Sequence, residues 1–353
     1  PSIVTFLSWR LIHHPDRTNM RSRRLTTHSA MIAEAQRVLL NLLTDVIGSV
    51  NHVILLCRSS FDDKADGAST LGTFRLLKKM IKTVAFFCHS SHDCSSDKNL
   101  DKAWDASQVV HNDVAILVLV GDYQNVSSQT YTFQGKIMKT FPSHTIVFLS
   151  HSILQECNAD ECLQGLQAYS NHSNVFLFLR DLQSYRLVEK NCEGVKFVLA
   201  PDMAFGIGTV QRHITATYDV IWLRSSEDVT QRYTMPSSPS DLSVFVSDWT
   251  SGYWVTNTGG SDEETEFIVT QAGLDFLQRG RVVVTDRLHG HILSVLMNLP
   301  HVFIEDTALD SSLSTFSTWT QLLRNVFLAN NRNVALKKAA LLLSRFDDYK
   351  ETN

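Results

Sequence analysis

Short unbroken apolar runs recur along the chain, each closing on a polar turn. The first four are Val53-Ile54-Leu55-Leu56-Cys57, Val84-Ala85-Phe86-Phe87-Cys88, Val114 to Val120 and Thr145 to Leu149. A strand that is apolar at every position, not at alternate ones, is buried on both faces. That is the situation in a parallel sheet covered by helices. Helical spacing fills the intervals: Ser29 to Val46 with Gly48 as C-cap, Leu71 to Met80, and Gln129 to Lys139. The alternation predicts a doubly wound α/β fold.

The same pattern restarts in the second half. Val175 to Leu179, Lys196 to Ala200, Asp219 to Leu223, Val282 to Val284 and His301 to Ile304 read as strands. Ser184 to Lys190, Glu264 to Arg279 and the tail from Thr318 read as helices. With 353 residues, 44% of them hydrophobic, the chain can bury about two domain cores. The reading divides it into an arm and helix (1–49), a first α/β domain (50–155), a linker (156–174), a second α/β domain (175–330) and a C-terminal helix (331–353).

Charged residues make up 19% of the chain and the net charge is −4, so nothing points to nucleic acid. Arg10, Arg17, Arg21, Arg23 and Arg24 read as a solvated N-terminal arm. No apolar run approaches the roughly 18 residues of a membrane span, and no signal-peptide h-region is visible. Cys57 and Cys88 end apolar runs and read as buried thiols. Cys94, Cys157, Cys162 and Cys192 fall in loop-like stretches and can pair in an oxidising compartment. Without a C-x-x-C pair, and with His89, His92, Asp93 and Cys94 in one polar loop, no metal site is expected. Asn125-Val126-Ser127 and Asn171-His172-Ser173 are glycosylation sequons.

The chemistry concentrates at strand ends. Val282-Val283-Val284-Thr285 runs into Asp286-Arg287-Leu288-His289-Gly290-His291, a strand, a tight turn and a helix start. Unpaired N–H groups and the helix dipole favour an anion there. Arg180 and Arg224 likewise follow predicted strands, so three arginines are expected on one carboxyl edge, where open parallel sheets bind ligands. Guanidinium suits carboxylate and phosphate because it pairs bidentately. The competing reading for each arginine is an ion pair with Asp181, Glu227, Asp228 or Asp286. An imidazole titrates near neutrality, so His289 can act as a general acid or donate to a departing phosphate. Gly290 is expected to let backbone approach a ligand, and His291 to be structural. No dinucleotide fingerprint, P-loop, G-x-S-x-G or H-E-x-x-H is present.

Thr285-Asp286-Arg287-Leu288-His289-Gly290-His291 resembles the polysaccharide pyruvyl transferase family. Other segments agree in order: Leu71-Gly72-Thr73 into Arg75-Leu76-Leu77, Phe141-Pro142 through Ser152-Ile153, Leu179-Arg180-Asp181 with Ser184-Tyr185, Ala200-Pro201-Asp202-Met203-Ala204-Phe205, and Trp222-Leu223-Arg224 with Glu227. The resemblance covers roughly residues 50 to 345. It implies two Rossmann-like domains facing across a cleft, as in glycosyltransferases of type B. It further implies phosphoenolpyruvate as co-substrate without another cofactor, and a sugar diol as acceptor, giving a cyclic ketal. The eukaryotic members modify galactose-containing glycans in the secretory pathway, which implies the Golgi lumen, with the cytoplasm as the alternative. On this reading Arg287 and His289 are catalytic, and Arg224, Arg287, Leu288, His289 and Arg180 bind the donor. Asp66, Asp122 and His151 would line the acceptor side, in turns that depart from the family pattern. The rival readings are a nucleotide-sugar glycosyltransferase and a non-catalytic glycan-binding protein.

Overall fold

The computed structural model describes residues 27–57, 64–86, 88, 91–94, 96–110, 113–119, 128–153, 165–224, 242–248, 262–305 and 310–346. The first half runs α1 (His28–Ile47), β1 (His52–Leu56), α2 (Lys64–Lys79), β2 (Thr83–Phe86), α3 (Ser91–Cys94), α4 (Asp97–Val109), β3 (Val114–Leu119), α5 (Ser128–Thr140) and β4 (Thr145–His151). The second runs β5 (Val175–Leu179), α6 (Leu182–Asn191), β6 (Phe197–Leu199), β7 (Tyr218–Leu223), β8 (Val244–Ser247), α7 (Asp262–Gln278), β9 (Gly280–Thr285), α8 (Leu288–Leu296), β10 (His301–Ile304), α9 (Asp310–Trp319), β11 (Val326–Ala329) and α10 (Arg332–Arg345).

These strands form two parallel sheets, a six-stranded one in the order β2-β1-β3-β4-β5-β6 and a five-stranded one in the order β11-β10-β9-β7-β8. Counting strands along the chain within each sheet, both follow the order 2-1-3-4-5, and the first adds a sixth strand after its fifth. In each, the winding direction reverses between the first and third strands, β1/β3 and β7/β9. A reversal of this kind opens a crevice at the carboxyl ends of the two strands.

Three expectations change. β5 and β6 pair onto β4 in the first sheet, so residues 156–174 do not separate the two units. The change of sheet falls between Leu199 and Tyr218. α10 is not a separate unit, because Ala335, Leu336, Ala339 and Leu342 bury against Val220, Val282 and Val302 of the second sheet. The tail from Thr318 is not wholly helical, because Val326–Ala329 forms the edge strand β11. β8 and α4 were also missed. α2 starts at Lys64, in what read as a polar loop, and places Asp66 in its first turn.

One apolar core joins the two units. It takes Val53, Leu55 and Leu117 from the first sheet, Ile221, Leu223 and Val283 from the second, and Leu39, Leu76, Phe205 and Leu293 from between them. The 3-10 segment Met203–Ile207 is the wedge. It meets α2 backbone to backbone: a Cβ on Gly72 would lie 2.0 Å from the Met203 carbonyl, and one on Gly206 would lie 2.3 Å from the Gly72 carbonyl. Only glycine fits such an approach.

Cys88 is not a thiol but forms a disulfide with Cys94, beside the buried Cys57 thiol. Cys192 is buried and reduced. Asp122, Asn125, Cys157, Cys162, Glu227, Asp228 and the basic arm lie outside the described residues. No helix among the described residues is long and apolar enough to cross a membrane.

Candidate active site at the facing sheet edges

Arg224 and Arg287 leave the two strands that flank the crevice of the second sheet. The Arg224 N–H donates to the Ser247 carbonyl of β8 at 3.0 Å, which fixes its backbone. Arg287 Nε donates to the Arg224 carbonyl at 2.6 Å, and Nη2 donates to Asp248 Oδ1 at 2.8 Å. The guanidinium is therefore held at the rim, with its side chain 16% exposed, and no described residue engages Nη1. The ion-pair partner is Asp248, not one of the acids nearest in sequence.

Arg287 is also the N-cap of α8, in extended conformation, and its side chain makes no cap bond. The first N–H groups of the helix, Leu288, His289 and Gly290, have no acceptor within it. They add a partial positive charge beside Arg287. The Thr285 hydroxyl accepts from the Arg287 N–H at 3.0 Å and fixes the turn. Gly290 does not serve ligand approach as expected. A Cβ there would lie 2.7 Å from Thr285 Oγ1 and 2.8 Å from Leu223 Cδ2, so the glycine lets α8 pack onto its own sheet.

His289 faces the other unit. Its Nε2 lies 3.1 Å from Ser69 Oγ of α2 and 3.6 Å from Asp202 Oδ1, which follows β6. Ser69 Oγ donates to Asp202 Oδ1 at 3.2 Å, and the Ala204 N–H donates to the same oxygen at 2.9 Å. The other carboxylate oxygen, Asp202 Oδ2, accepts from Arg180 Nη1 at 3.2 Å. Burial pushes this carboxyl up, but His289, Arg180 and the Ala204 N–H outweigh it and hold Asp202 well below the usual carboxylate range.

The model of the family described as polysaccharide pyruvyl transferase matches residues 66–306. The chain belongs to that family. Among its relatives, Pyruvyl transferase 1 of Schizosaccharomyces pombe is 30% identical over 202 residues, 52% of this chain and 49% of that protein. The putative pyruvyl transferase EpsO of Bacillus subtilis is 24% identical over 220 residues, 57% of this chain and 67% of that protein. The chain thus spans about half the length of the yeast relative. A Klebsiella pneumoniae protein of unassigned function, KP1_0663, superposes with a TM-score of 0.51 at 13% identity. The superposition covers 84% of this chain and 99% of that one, and supports the fold of two facing Rossmann-like units.

Within this family frame, the expected donor residues divide. Arg224, Arg287, Leu288 and His289 come together at one edge. Arg180 reaches them only through Asp202: it ends a strand of the first sheet, and its side chain is 1% exposed. Its Nε donates to Ser152 Oγ at 2.7 Å as well as reaching Asp202 through Nη1. It is the structural ion pair of the competing reading, with Asp202 and not Asp181 as partner. Asp181 caps α6, accepting from the Ser184 N–H at 2.9 Å. His151 ends β4, is buried, and gives its carbonyl to the Arg180 N–H at 3.0 Å. Burial pushes its imidazole down to about 4. Its Nδ1 has no hydrogen-bond partner among the described residues.

Ser69 and Asp202 were absent from the sequence-derived site. Asp202 carried a signal, as a carboxylate just past a strand in a family-like loop. Ser69 carried none, since an isolated serine in a helix is ordinary.

Proposed function

We propose that this chain transfers the pyruvyl group of phosphoenolpyruvate to a sugar diol of a glycan, forming a cyclic pyruvate ketal. The observation that carries the reading is the convergence of Arg287, His289 and an uncapped helix N-terminus at the crevice of the second sheet, in a chain of this family. Phosphoenolpyruvate presents a phosphate and a carboxylate to that edge. Arg287 and Arg224 hold the anionic groups, and the α8 N–H groups, led by Leu288, add donors.

In the reaction, the enol carbon gains a proton, and one sugar hydroxyl attacks the resulting oxocarbenium. Phosphate then leaves, and the second hydroxyl closes the ring. The sum is phosphoenolpyruvate plus diol giving ketal plus inorganic phosphate. Fixed positive charge near the phosphate stabilises its departure, and His289 donates a proton or hydrogen bond to it. The acceptor, read as a galactose-containing glycan, meets the carboxyl edge of the first sheet, where Asp66 and His151 sit. The Cys88–Cys94 disulfide and the exposed Asn171 sequon suit a Golgi lumen.

The test incubates the protein with phosphoenolpyruvate and a panel of galactosides, measuring phosphate release and acid-labile ketal. Both are expected, together with thermal stabilisation by phosphoenolpyruvate but not by UDP. Stabilisation by UDP without phosphate release would overturn the reading in favour of a nucleotide-sugar enzyme. Stabilisation by neither would favour a glycan-binding protein. His289→Ala is expected to reduce turnover much more than donor binding, and unchanged turnover in it would remove the histidine from the mechanism.

A further inference from the structure

The two nitrogens of an imidazole are distinct, and the bond made by one sets what the other can do. Asp202 is ionised, so both of its oxygens only accept. The single Ser69 proton therefore goes to Asp202 Oδ1, at 3.2 Å. That leaves the Ser69 oxygen with lone pairs facing His289 Nε2 at 3.1 Å, and Nε2 must be the donor. The chain of donation runs from Nε2–H to Ser69 Oγ–H to the Asp202 carboxylate. Arg180 Nη1 and the Ala204 N–H occupy the remaining sides of that carboxylate and stop it from turning.

We propose that Ser69 and Asp202 are positioning residues that hold His289 as the Nε2–H tautomer, making Nδ1 the nitrogen that faces the donor. No described residue engages Nδ1. At rest its lone pair can take a proton, and the imidazolium so formed donates Nδ1–H to the departing phosphate while Nε2–H stays on Ser69. The three residues come from different places. His289 follows β9 of the second sheet, Ser69 lies on the helix after β1, and Asp202 follows β6 of the first sheet. The working tautomer is thus set only where the two units are docked, and neither unit carries the arrangement alone.

This inference rests on the proposed role of His289, so its test needs a reading independent of turnover. The full chain is labelled with 15N-histidine, and long-range 15N–1H correlation spectra report the tautomer of each ring. The His289 signal is assigned by its loss in His289→Gln. The wild type is expected to show Nε2–H. Ser69→Ala is expected to lose this preference, and Ser69→Thr, which keeps the hydroxyl, to retain it. With phosphoenolpyruvate as substrate, Ser69→Ala should lower kcat on the order of tenfold to a hundredfold with little change in KM, and Ser69→Thr should restore most of it. A wild-type Nδ1–H tautomer, or a tautomer unchanged in Ser69→Ala, would overturn the proposal. Nε2–H in a protein that releases no phosphate would uphold the positioning and defeat the assigned reaction. Asp202→Asn leaves Arg180 without its counter-charge and can fail to fold, so Ser69 carries the test.

Discussion

Two turns in this molecule share a plan and differ in outcome. Leu179-Arg180-Asp181 and Thr285-Asp286-Arg287 both leave a buried parallel strand and enter a helix. From sequence alone both arginines belong at a ligand edge. In the structure the Arg180 side chain is 1% exposed over an Asp202 that is fully buried, whereas Arg287 is 16% exposed beside Asp248 at 8%. The neighbouring strands decide this. β6 delivers Asp202 beneath Arg180, and the fold then closes over the pair. β8 delivers Asp248 at the rim, where it steadies Arg287 without enclosing it. Position at a strand end fixes where a backbone sits. Whether the charge is spent on structure depends on what the next strand brings.

The largest expected effect breaks the comparison by removing each arginine in turn. Arg180→Ala strands a buried carboxylate and should cost about 3–5 kcal/mol in denaturant unfolding. Arg287→Ala breaks a pair that is partly open at the rim, 16% and 8% exposed, and should cost less stability than Arg180→Ala. It should instead slow phosphate release from phosphoenolpyruvate on the order of a hundredfold. Equal stability losses in the two variants would mean that Arg287 is as structural as Arg180.

Acid sharpens the contrast between the edges, because each rests on buried neutral imidazoles. Behind α8, His301 Nδ1–H donates to the Leu299 carbonyl at 2.8 Å, so its Nε2 accepts from His291 Nδ1–H at 2.7 Å. His291 Nε2 lies 2.8 Å from the Thr320 hydroxyl, which also donates to the Phe316 carbonyl at 3.2 Å. Burial pushes His301 down to about 4, and burial with the neighbouring His301 pushes His291 well below its usual value. His151, under the first edge, is pushed down to about 4. These groups are neutral when folded and free to charge when unfolded, so the unfolded chain binds more protons below their ordinary value. Stability should be level above about pH 6.5 and fall between about 6.5 and 4, on the order of 1 kcal/mol per histidine per pH unit. Urea unfolding across that range tests it, and His301→Gln should flatten the slope more than His151→Gln if the second edge holds the coupled pair. Stability that holds or rises on acidification would refute it.

What the sequence disclosed follows from how deeply each element is buried. Strands enclosed on both faces, such as β3 with all six residues buried, were legible as continuous apolar runs. The overlooked β8 and β11 are edge strands with mostly half-buried side chains, so no such run marks them. α4 was missed because its buried face is narrow, with Leu100, Ala103 and Ser107. The misplaced division had another cause: a strand-helix-strand pattern shows that strands exist but not which sheet receives them. The same limit applies to the site. Arg287 and His289 lie beside a strand-to-helix junction and could be found from it. Ser69 and Asp202 reach His289 and each other across sequence separations of 220 and 133, which no local spacing encodes.

The smallest expected effect asks how firmly the second edge is seated. Gly290 lies in the first turn of α8, where an added Cβ meets Thr285 Oγ1 at 2.7 Å and Leu223 Cδ2 at 2.8 Å. Thr285 Oγ1 also holds the Arg287 N–H, so it cannot withdraw without releasing the turn. Gly290→Ala should therefore push α8 off β9 and cost about 1–3 kcal/mol. Gly135, in the middle of α5, has no atom within 4 Å of its would-be Cβ. There the same substitution relieves only the backbone entropy of glycine and should stabilise by roughly 0.5–1 kcal/mol. The two variants, compared by thermal unfolding, should move in opposite directions. A Gly290→Ala protein as stable as wild type would show that the α8 N-terminus shifts freely, and a site that shifts freely cannot hold Arg287 and His289 in register with Ser69 and Asp202.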